Sequence, residues 1–249
     1  MLVNTYYSMY SRTFQAFLSQ TDEKTELLRA IEARIKSCNC HSLLDIGAGG
    51  GELAVPLSKS VEHYVAIERS RIFADRLQAA GIQVINSTFP LLISHTFDVV
   101  LACHSVPRRP IHFVPFIEGA LRCVSENGQF LLITHDDRGG AWEELLHACA
   151  LTWQERQKDR FFELWNLLNE RGKTTLSEIT TYVRAKSIDD IMHALSFMFA
   201  NGSGMNGMRF TSNSQVRSYL RERYLHRGGY AFPVKHVMME LGRLDPPSP

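Results

Sequence analysis

Two hydrophobic rhythms alternate along the middle of the chain. SLLDI (42–46), HYVAIE (63–68), IQVINS (82–87), FDVVLACH (97–104) and GQFLLITH (128–135) are short, nearly continuous runs of Val, Ile and Leu. Each reads as a strand buried on both faces. Between them, GELAVPLSKS (51–60), SRIFADRLQAAG (70–81) and FVPFIEGALRCV (113–124) carry apolar residues at helical spacing, the second stopped by Gly81. Strand and helix in strict alternation predict βαβ units around a parallel sheet.

The flanks follow another grammar. Tyr6, Tyr10, Phe14, Phe17 and Leu18 share one helical stripe over residues 6–18. A second helix is expected with Thr21 or Asp22 as N-cap and Leu27, Leu28, Ile31 and Ile35 inward. Beyond residue 140, AWEELLHACALTW and RFFELWNLLNERG predict helices, TTYVRA a strand, residues 187–200 and 213–225 further helices, and VKHVMMELGRL a closing strand. The tail DPPSP is expected to be disordered. The whole reads as one domain of residues 1–249, with an N-terminal helical cap (1–38), an α/β core (42–135), helical additions with a sixth strand (140–235) and a last strand (236–244).

Composition narrows the partners. At 249 residues and 45% hydrophobic content the chain can bury a full core. Lys+Arg 27 against Asp+Glu 26 leaves almost no net charge, which argues against a nucleic-acid partner, since phosphate neutralisation needs a basic surplus. No apolar run approaches the ~18 residues of a membrane span, and the N-terminus has no signal-peptide core. A cytoplasmic protein that uses no membrane is expected. Five cysteines, an odd number, fit reduced thiols, and CNCH (38–41) reads as a helix-to-strand connection because it lacks the second half of a zinc motif. No metal site is expected.

Candidate chemistry begins at LLDIGAGGGE (43–52), where four glycines follow a buried strand. Glu52 stands where a dinucleotide fingerprint needs its third glycine, and no Lys-Ser/Thr follows for a Walker loop. What is present is Asp45, Gly47, Gly49 and Gly51, an acid followed by glycines at alternate positions. An acid, Glu68, ends the second strand 21 residues after Gly47. This combination resembles the class I S-adenosylmethionine-dependent methyltransferases, over roughly residues 42–135. The resemblance implies a Rossmann-like, doubly wound, mostly parallel seven-stranded sheet with an antiparallel last strand, the additions forming a substrate lid. It also implies S-adenosyl-L-methionine as cofactor, with the glycines passing against its methionine and ribose and Glu68 taking the ribose hydroxyls. NSTF (86–89) lacks the acid that many relatives aim at the adenine amine, so Ser87 or Asn86 would substitute. Cys103, at the end of the fourth strand, joins the cofactor-binding set.

The acceptor is approached by exclusion. No Asn/Asp-Pro-Pro-aromatic motif follows the fourth strand, and Cys103 and His104 stand where metal-dependent O-methyltransferases place a carboxylate. A small-molecule acceptor remains. Tyr10, Phe14 and Glu23 are similar in pattern to the opening helices of histamine N-methyltransferase, which implies an amine pocket lined by those three. DDRGGAWEELL echoes that family's polar-Gly-Trp segment and adds Trp142. YAFPVKHVMMEL lacks its pocket asparagine, so histamine itself is not supported. Read from spacing alone, Tyr10 and Phe14 equally fit a core stripe, and Glu23 a first-turn helix acid. His104 fits a general base or a structural histidine. His135, Asp136 and Asp137 end the fifth strand and suggest a metal or, as such strand ends usually are, plain loop, and Phe197 to Phe199 with NGSGMNG read as lid or core. The expected reaction is methyl transfer to an amine nitrogen, with Glu23 and His104 catalytic and Tyr10, Phe14, Trp142 and Phe197 on the acceptor. Intramolecular cyclisation of the cofactor, releasing methylthioadenosine, and a non-catalytic cofactor-binding protein are the alternatives. Nothing in the sequence fixes an oligomeric state.

Overall fold

A computed structural model of the chain describes residues 14, 17–107, 109–136, 138–148, 156–199 and 210–242. Its residues divide into two compact units, Leu27–Arg138 with Glu155–Ile179 and His236–Pro249, and Met1–Glu26 with Gly139–Gln154 and Thr180–Lys235.

The larger unit is built on β1 (Ser42–Ile46), β2 (His63–Ile67), β3 (Gln83–Ile85), β4 (Phe97–Cys103) and β5 (Val124–His135). β1 runs parallel to β2 and β4, β2 to β3, and β4 to β5. β8 (Gly229–Gly242) returns antiparallel to β5, with Ile133 opposite Met238 and His135 opposite His236. The sheet order is β3-β2-β1-β4-β5-β8-β6, with β6 spanning Thr174–Ala185. The expected mostly parallel sheet with an antiparallel last strand is therefore present. Among the described residues the seven strands of that order are joined by a two-residue β7, Leu225–His226, which pairs with β8. Strand order reverses between β1 and β4, which opens a crevice at their carboxyl ends.

Period-two alternation sorts the strand residues between two cores. Leu44, Ile46, Val100, Ala102, Phe130 and Leu132 join one cluster, and Leu43, Val99, Leu101, Leu131 and Ile133 the other. The first is covered by Phe113, Phe116 and Ile117 of α4 (Phe113–Arg122) and by Phe161, Leu164 and Leu168 of α6 (Arg156–Asn169). The second is covered by Leu27, Ile31 and Ile35 of α1 (Glu23–Ser37), Leu57 of α2 (Ala54–Leu57) and Leu77 of α3 (Arg71–Ala79). Apolar strand faces hidden by helices on both sides explain why these strands lack polar alternation.

The strand starts are pinned by polar groups. Asp98 Oδ2 accepts from the backbone N–H of His41 at 2.9 Å, and from the N–H and hydroxyl of Ser42 at 3.0 and 2.9 Å. Partial burial pushes the Asp98 carboxyl upward, but these hydrogen bonds outweigh it and hold the pKa below the usual value. α1 ends where Asn39 turns left-handed at φ 51, and Cys40 N–H returns to Ile35 O at 3.1 Å, a C-terminal capping geometry. CNCH is thus the helix-to-strand connection expected. Its Cys38 and Cys40 bring their side chains together, with Cα atoms 5.2 Å apart.

The smaller unit packs Phe17, Leu145, Val183, Ile191, Leu195, Phe210, Val216, Leu220 and Phe232 into its own core. These come in part from α5 (Ala141–Ala148), α7 (Ile188–Phe199) and α8 (Ser214–Tyr224). Asn213 caps α8, accepting from Gln215 N and Val216 N at 2.9 and 3.2 Å. Of the two N-cap candidates for α1, Thr21 Oγ1 accepts from Glu23 N at 3.2 Å. Asp22 instead takes the Tyr182 N–H at 2.6 Å and pairs with Arg184. Among the described residues no helix is long and apolar enough to cross a membrane.

Candidate functional site

The chain leaves β1 through three glycines that each answer a different demand. Gly47 sits at φ 79, its N–H bonds Ile67 O at 2.7 Å, and a Cβ there would stand 2.5 Å from Ser105 Cβ. Gly51 sits at φ 106 beside Leu77 and Val55, at 3.3 and 3.4 Å from an added Cβ. Gly49 sits at φ 63, yet a Cβ there would meet nothing within 4 Å. Only glycine adopts such angles cheaply, and at Gly49 the space beyond the backbone is open to a ligand.

Glu68 closes this loop from the end of β2. Its carboxylate is 6% exposed; Oε2 accepts from Gly49 N at 2.9 Å and Oε1 from Ser70 N at 2.7 Å. A carboxylate offers about four acceptor positions, so each oxygen retains capacity for a further donor. Asn86 Nδ2 donates to the Glu68 carbonyl at 2.7 Å, which ties the segment after β3 to the same corner. Ser87, the other adenine-side candidate, turns its hydroxyl to the Thr88 carbonyl at 3.4 Å. Asp45 lies within β1, 3% exposed, and its Oδ2 accepts from Tyr64 OH at 2.5 Å. Burial first, then the Asp45 charge, hold the Tyr64 phenol well above its ordinary pKa of 10.0. Asp45 therefore braces β1 to β2 directly below the loop. Cys103, half-buried, ends β4.

At the same carboxyl edge three histidines meet. His104 follows β4 at φ 54, a left-handed angle uncommon for a residue with a side chain, and its N–H bonds Ile133 O at 2.9 Å. His135 is the last residue of β5, as the GQFLLITH run predicts. It stands opposite His236 of β8, which is fully buried. Ring centroids lie 4.4 Å apart for His104–His135, 5.0 Å for His135–His236 and 5.2 Å for His104–His236. One ring nitrogen from each falls within 4.8 Å of the others. Asp136 does not join them; its two oxygens take Arg138 Nε at 2.8 Å and Nη2 at 2.9 Å. His236 carried no signal beyond its place in an apolar strand, and only the strand register reveals the cluster.

The acceptor candidates, apart from His104, lie in the smaller unit. Phe14 and Phe197 rings are 5.4 Å apart, and Phe17 stacks on Phe197 at 5.2 Å. Trp142 packs against Phe210 and Phe232, each at 6.1 Å. Glu23 is the first-turn helix acid that spacing alone allowed, and it is buried, 3% exposed, with Lys24 Nζ 2.9 Å from its Oε1. Tyr10, Asp137 and NGSGMNG lie outside the described residues.

Comparisons with known proteins bear on the fold and the family. A family model described as DREV methyltransferase matches residues 4–117. YcgJ from Bacillus subtilis, 16% identical, is similar with a TM-score of 0.51 over 86% of this chain and 97% of its own. The plantazolicin methyltransferase BpumL, solved in complex with SAH, is 12% identical with a TM-score of 0.51 over 93% of this chain and 90% of its own. No curated protein matches. The fold is that of the Rossmann-like methyltransferases. With the family match it supports a class I S-adenosylmethionine-dependent methyltransferase. The finer similarity to histamine N-methyltransferase finds no counterpart in these comparisons.

Proposed function

We propose that the chain transfers the methyl group of S-adenosylmethionine to a small-molecule acceptor, an amine nitrogen, in the cytoplasm, with neither nucleic acid nor membrane as partner. One observation carries the cofactor half of this reading: a buried Glu68 carboxylate tied to the N–H of Gly49, whose outer side is open. The residues fit the cofactor. Glu68 has acceptor capacity for a ribose diol, Gly49 leaves room for close approach, and Gly47, Gly51 and Asp45 hold the loop in shape. Asn86 and Ser87, which follow β3, would take the adenine, and Cys103 at the end of β4 would join them.

The bound cofactor supplies an electrophilic methyl on a sulfonium. The chain has to align an acceptor, exclude water and take up one proton. A carboxylate such as Glu23 draws a cationic amine, and Phe14, Phe197 and Trp142, with Tyr10, offer aromatic faces to it. Transfer of that methyl to an amine would release one proton, which Glu23, His104 or water would take up.

The test incubates the protein with S-adenosylmethionine and a panel of small amines. S-adenosylhomocysteine should appear only with an acceptor present. Methylthioadenosine formed without any acceptor would replace this reaction with intramolecular cyclisation. Glu23→Gln, which preserves shape, should lower turnover at least roughly tenfold, about 1.4 kcal/mol, with cofactor affinity near wild type. Full turnover in that variant removes Glu23 from the acceptor side.

A further inference from the structure

We propose that His104, His135 and His236 form a binding site for one divalent transition-metal ion of the zinc class, with a coordination position left for an outside ligand. Three adjacent strands deliver the rings to one spot. The β4–β5 register pairs Cys103 with Ile133, so His104 comes level with the last turn of β5 residues. The β5–β8 register sets His135 directly opposite His236, and directly opposed residues of a pair share a face.

The ligand set selects the metal. Three imidazoles without a carboxylate among them suit zinc, copper, nickel or iron and not magnesium or calcium. Tetrahedral zinc at about 2.0–2.1 Å from each nitrogen needs the nitrogens about 3.3 Å apart. The three candidate nitrogens already lie within 4.8 Å of one another, so small ring rotations close the remaining gap. Each ligand must be a neutral imidazole donating a nitrogen lone pair. Three protein ligands are the complement of a catalytic zinc site, whose fourth position takes water or a substrate atom.

The surroundings also point to a ligand. His236 is fully buried in a strand whose neighbouring buried positions are the apolar Val234, Val237, Met238 and Met239. His104 holds a left-handed backbone, and such strain gathers at ligand sites. The next residue, Ser105, packs against Gly47, so the cluster shares its edge with the glycine loop. With the metal bound, the His104 lone pair is taken, so in the methyl-transfer reading the proton would go to Glu23 or water; the metal site itself does not depend on that reading.

The experiment uses the untagged full-length chain, stripped with chelator and titrated with Zn2+ and, separately, Co2+. One equivalent should bind saturably, and Co2+ should develop the visible absorption of a low-coordinate nitrogen site. His135→Ala should lower Zn2+ affinity by roughly 100-fold or more, since removing even an outer-shell partner costs 10–100-fold. His104→Ala, at a half-exposed strand end, should do the same with an unchanged circular dichroism spectrum. Cys38→Ser with Cys40→Ser should leave binding intact, which separates this site from CNCH. Absence of stoichiometric binding in wild type overturns the proposal, as does binding that both histidine variants leave untouched. S-adenosylhomocysteine binding, measured on the stripped protein, tells failure of the metal site from failure of the methyltransferase reading.

Discussion

Glu68→Ala should produce two separable losses. In the protein alone, the Glu68 carboxylate satisfies the N–H groups of Gly49 and Ser70 at 2.9 and 2.7 Å. Removing it leaves both donors without that acceptor, and an unsatisfied buried group costs about 1–3 kcal/mol. Water entering the vacated space relieves part of this, so the apo protein should lose about 2–4 kcal/mol. For a chain of this length that corresponds to a melting temperature lower by roughly 5–15 °C. The second loss is in binding. A ribose diol held by two charge-assisted hydrogen bonds contributes at least about 2 kcal/mol, or about 30-fold in Kd. Scanning calorimetry of the apo variant reads the first loss. Titration calorimetry with S-adenosylhomocysteine, well below the melting temperature, reads the second. Glu68→Gln keeps one carbonyl acceptor but turns an NH2 group toward a backbone N–H, so it should fall between wild type and alanine on both scales. Unchanged melting would mean that Glu68 does not hold the loop. Unchanged affinity, with the variant folded, would remove Glu68 from the cofactor site and refute the reading built on it.

The glycine loop offers a paired comparison. Gly47→Ala drives a Cβ to 2.5 Å from Ser105 Cβ at a positive φ, so thermal unfolding should show a loss of at least about 2 kcal/mol. Gly49→Ala meets no protein atom within 4 Å and carries only the left-handed backbone cost of about 1–2 kcal/mol; cofactor affinity should nonetheless fall roughly tenfold or more, about 1.4 kcal/mol. Equal melting of the two variants would contradict the different roles assigned to them. Tyr64→Phe should cost about 1–3 kcal/mol at neutral pH by leaving Asp45 short of a donor. The Tyr64 phenol has a raised folded pKa, so its contribution is complete below the unfolded value near 10 and is lost as pH rises from there toward the folded value. The stability gap between wild type and Tyr64→Phe should therefore narrow above about pH 10, and a gap that stays constant would refute the assignment.

Local information located the strands well and the histidine cluster not at all. The five parallel strands were legible because each is a short apolar run bounded by turn residues, and Gly81 marked the end of α3 where its φ of 81 requires glycine. The loop from Asp45 to Gly51 was legible because its glycines are needed by backbone geometry, which leaves a pattern in sequence. Asp45 shows the limit of such a pattern. The acid stands where the motif puts it, yet its hydrogen bond to Tyr64 follows from strand register. β7 is two residues long and falls below any periodic signal. Asp22 looked like an N-cap, but the N–H of Tyr182 and the Arg184 guanidinium compete for its carboxylate, partners 160 and more residues away. His104, His135 and His236 are separated by 31 and 101 residues, so no metal spacing exists to be read.

β4 is the element that gathers the chemistry. Its last residues are Ala102 and Cys103, and the two that follow are His104 and Ser105. Ser105 occupies the space that glycine leaves at position 47, so the cofactor loop can close only on the path the chain takes after β4. That path begins with His104 in a left-handed turn, anchored to β5 through Ile133 O. The histidine cluster and the glycine loop are therefore set by consecutive residues of one short, buried segment. Whatever binds at His104 bears on the backbone that carries Ser105, and a ligand held at Gly49 bears on the same corner from the other side. The two proposed binding features, set one residue apart beside strands whose apolar faces are closed by helices, have little room to move independently. The rigid sheet supplies the positions, and the residues just past its carboxyl edge, where side chains leave the core, supply the reactive groups.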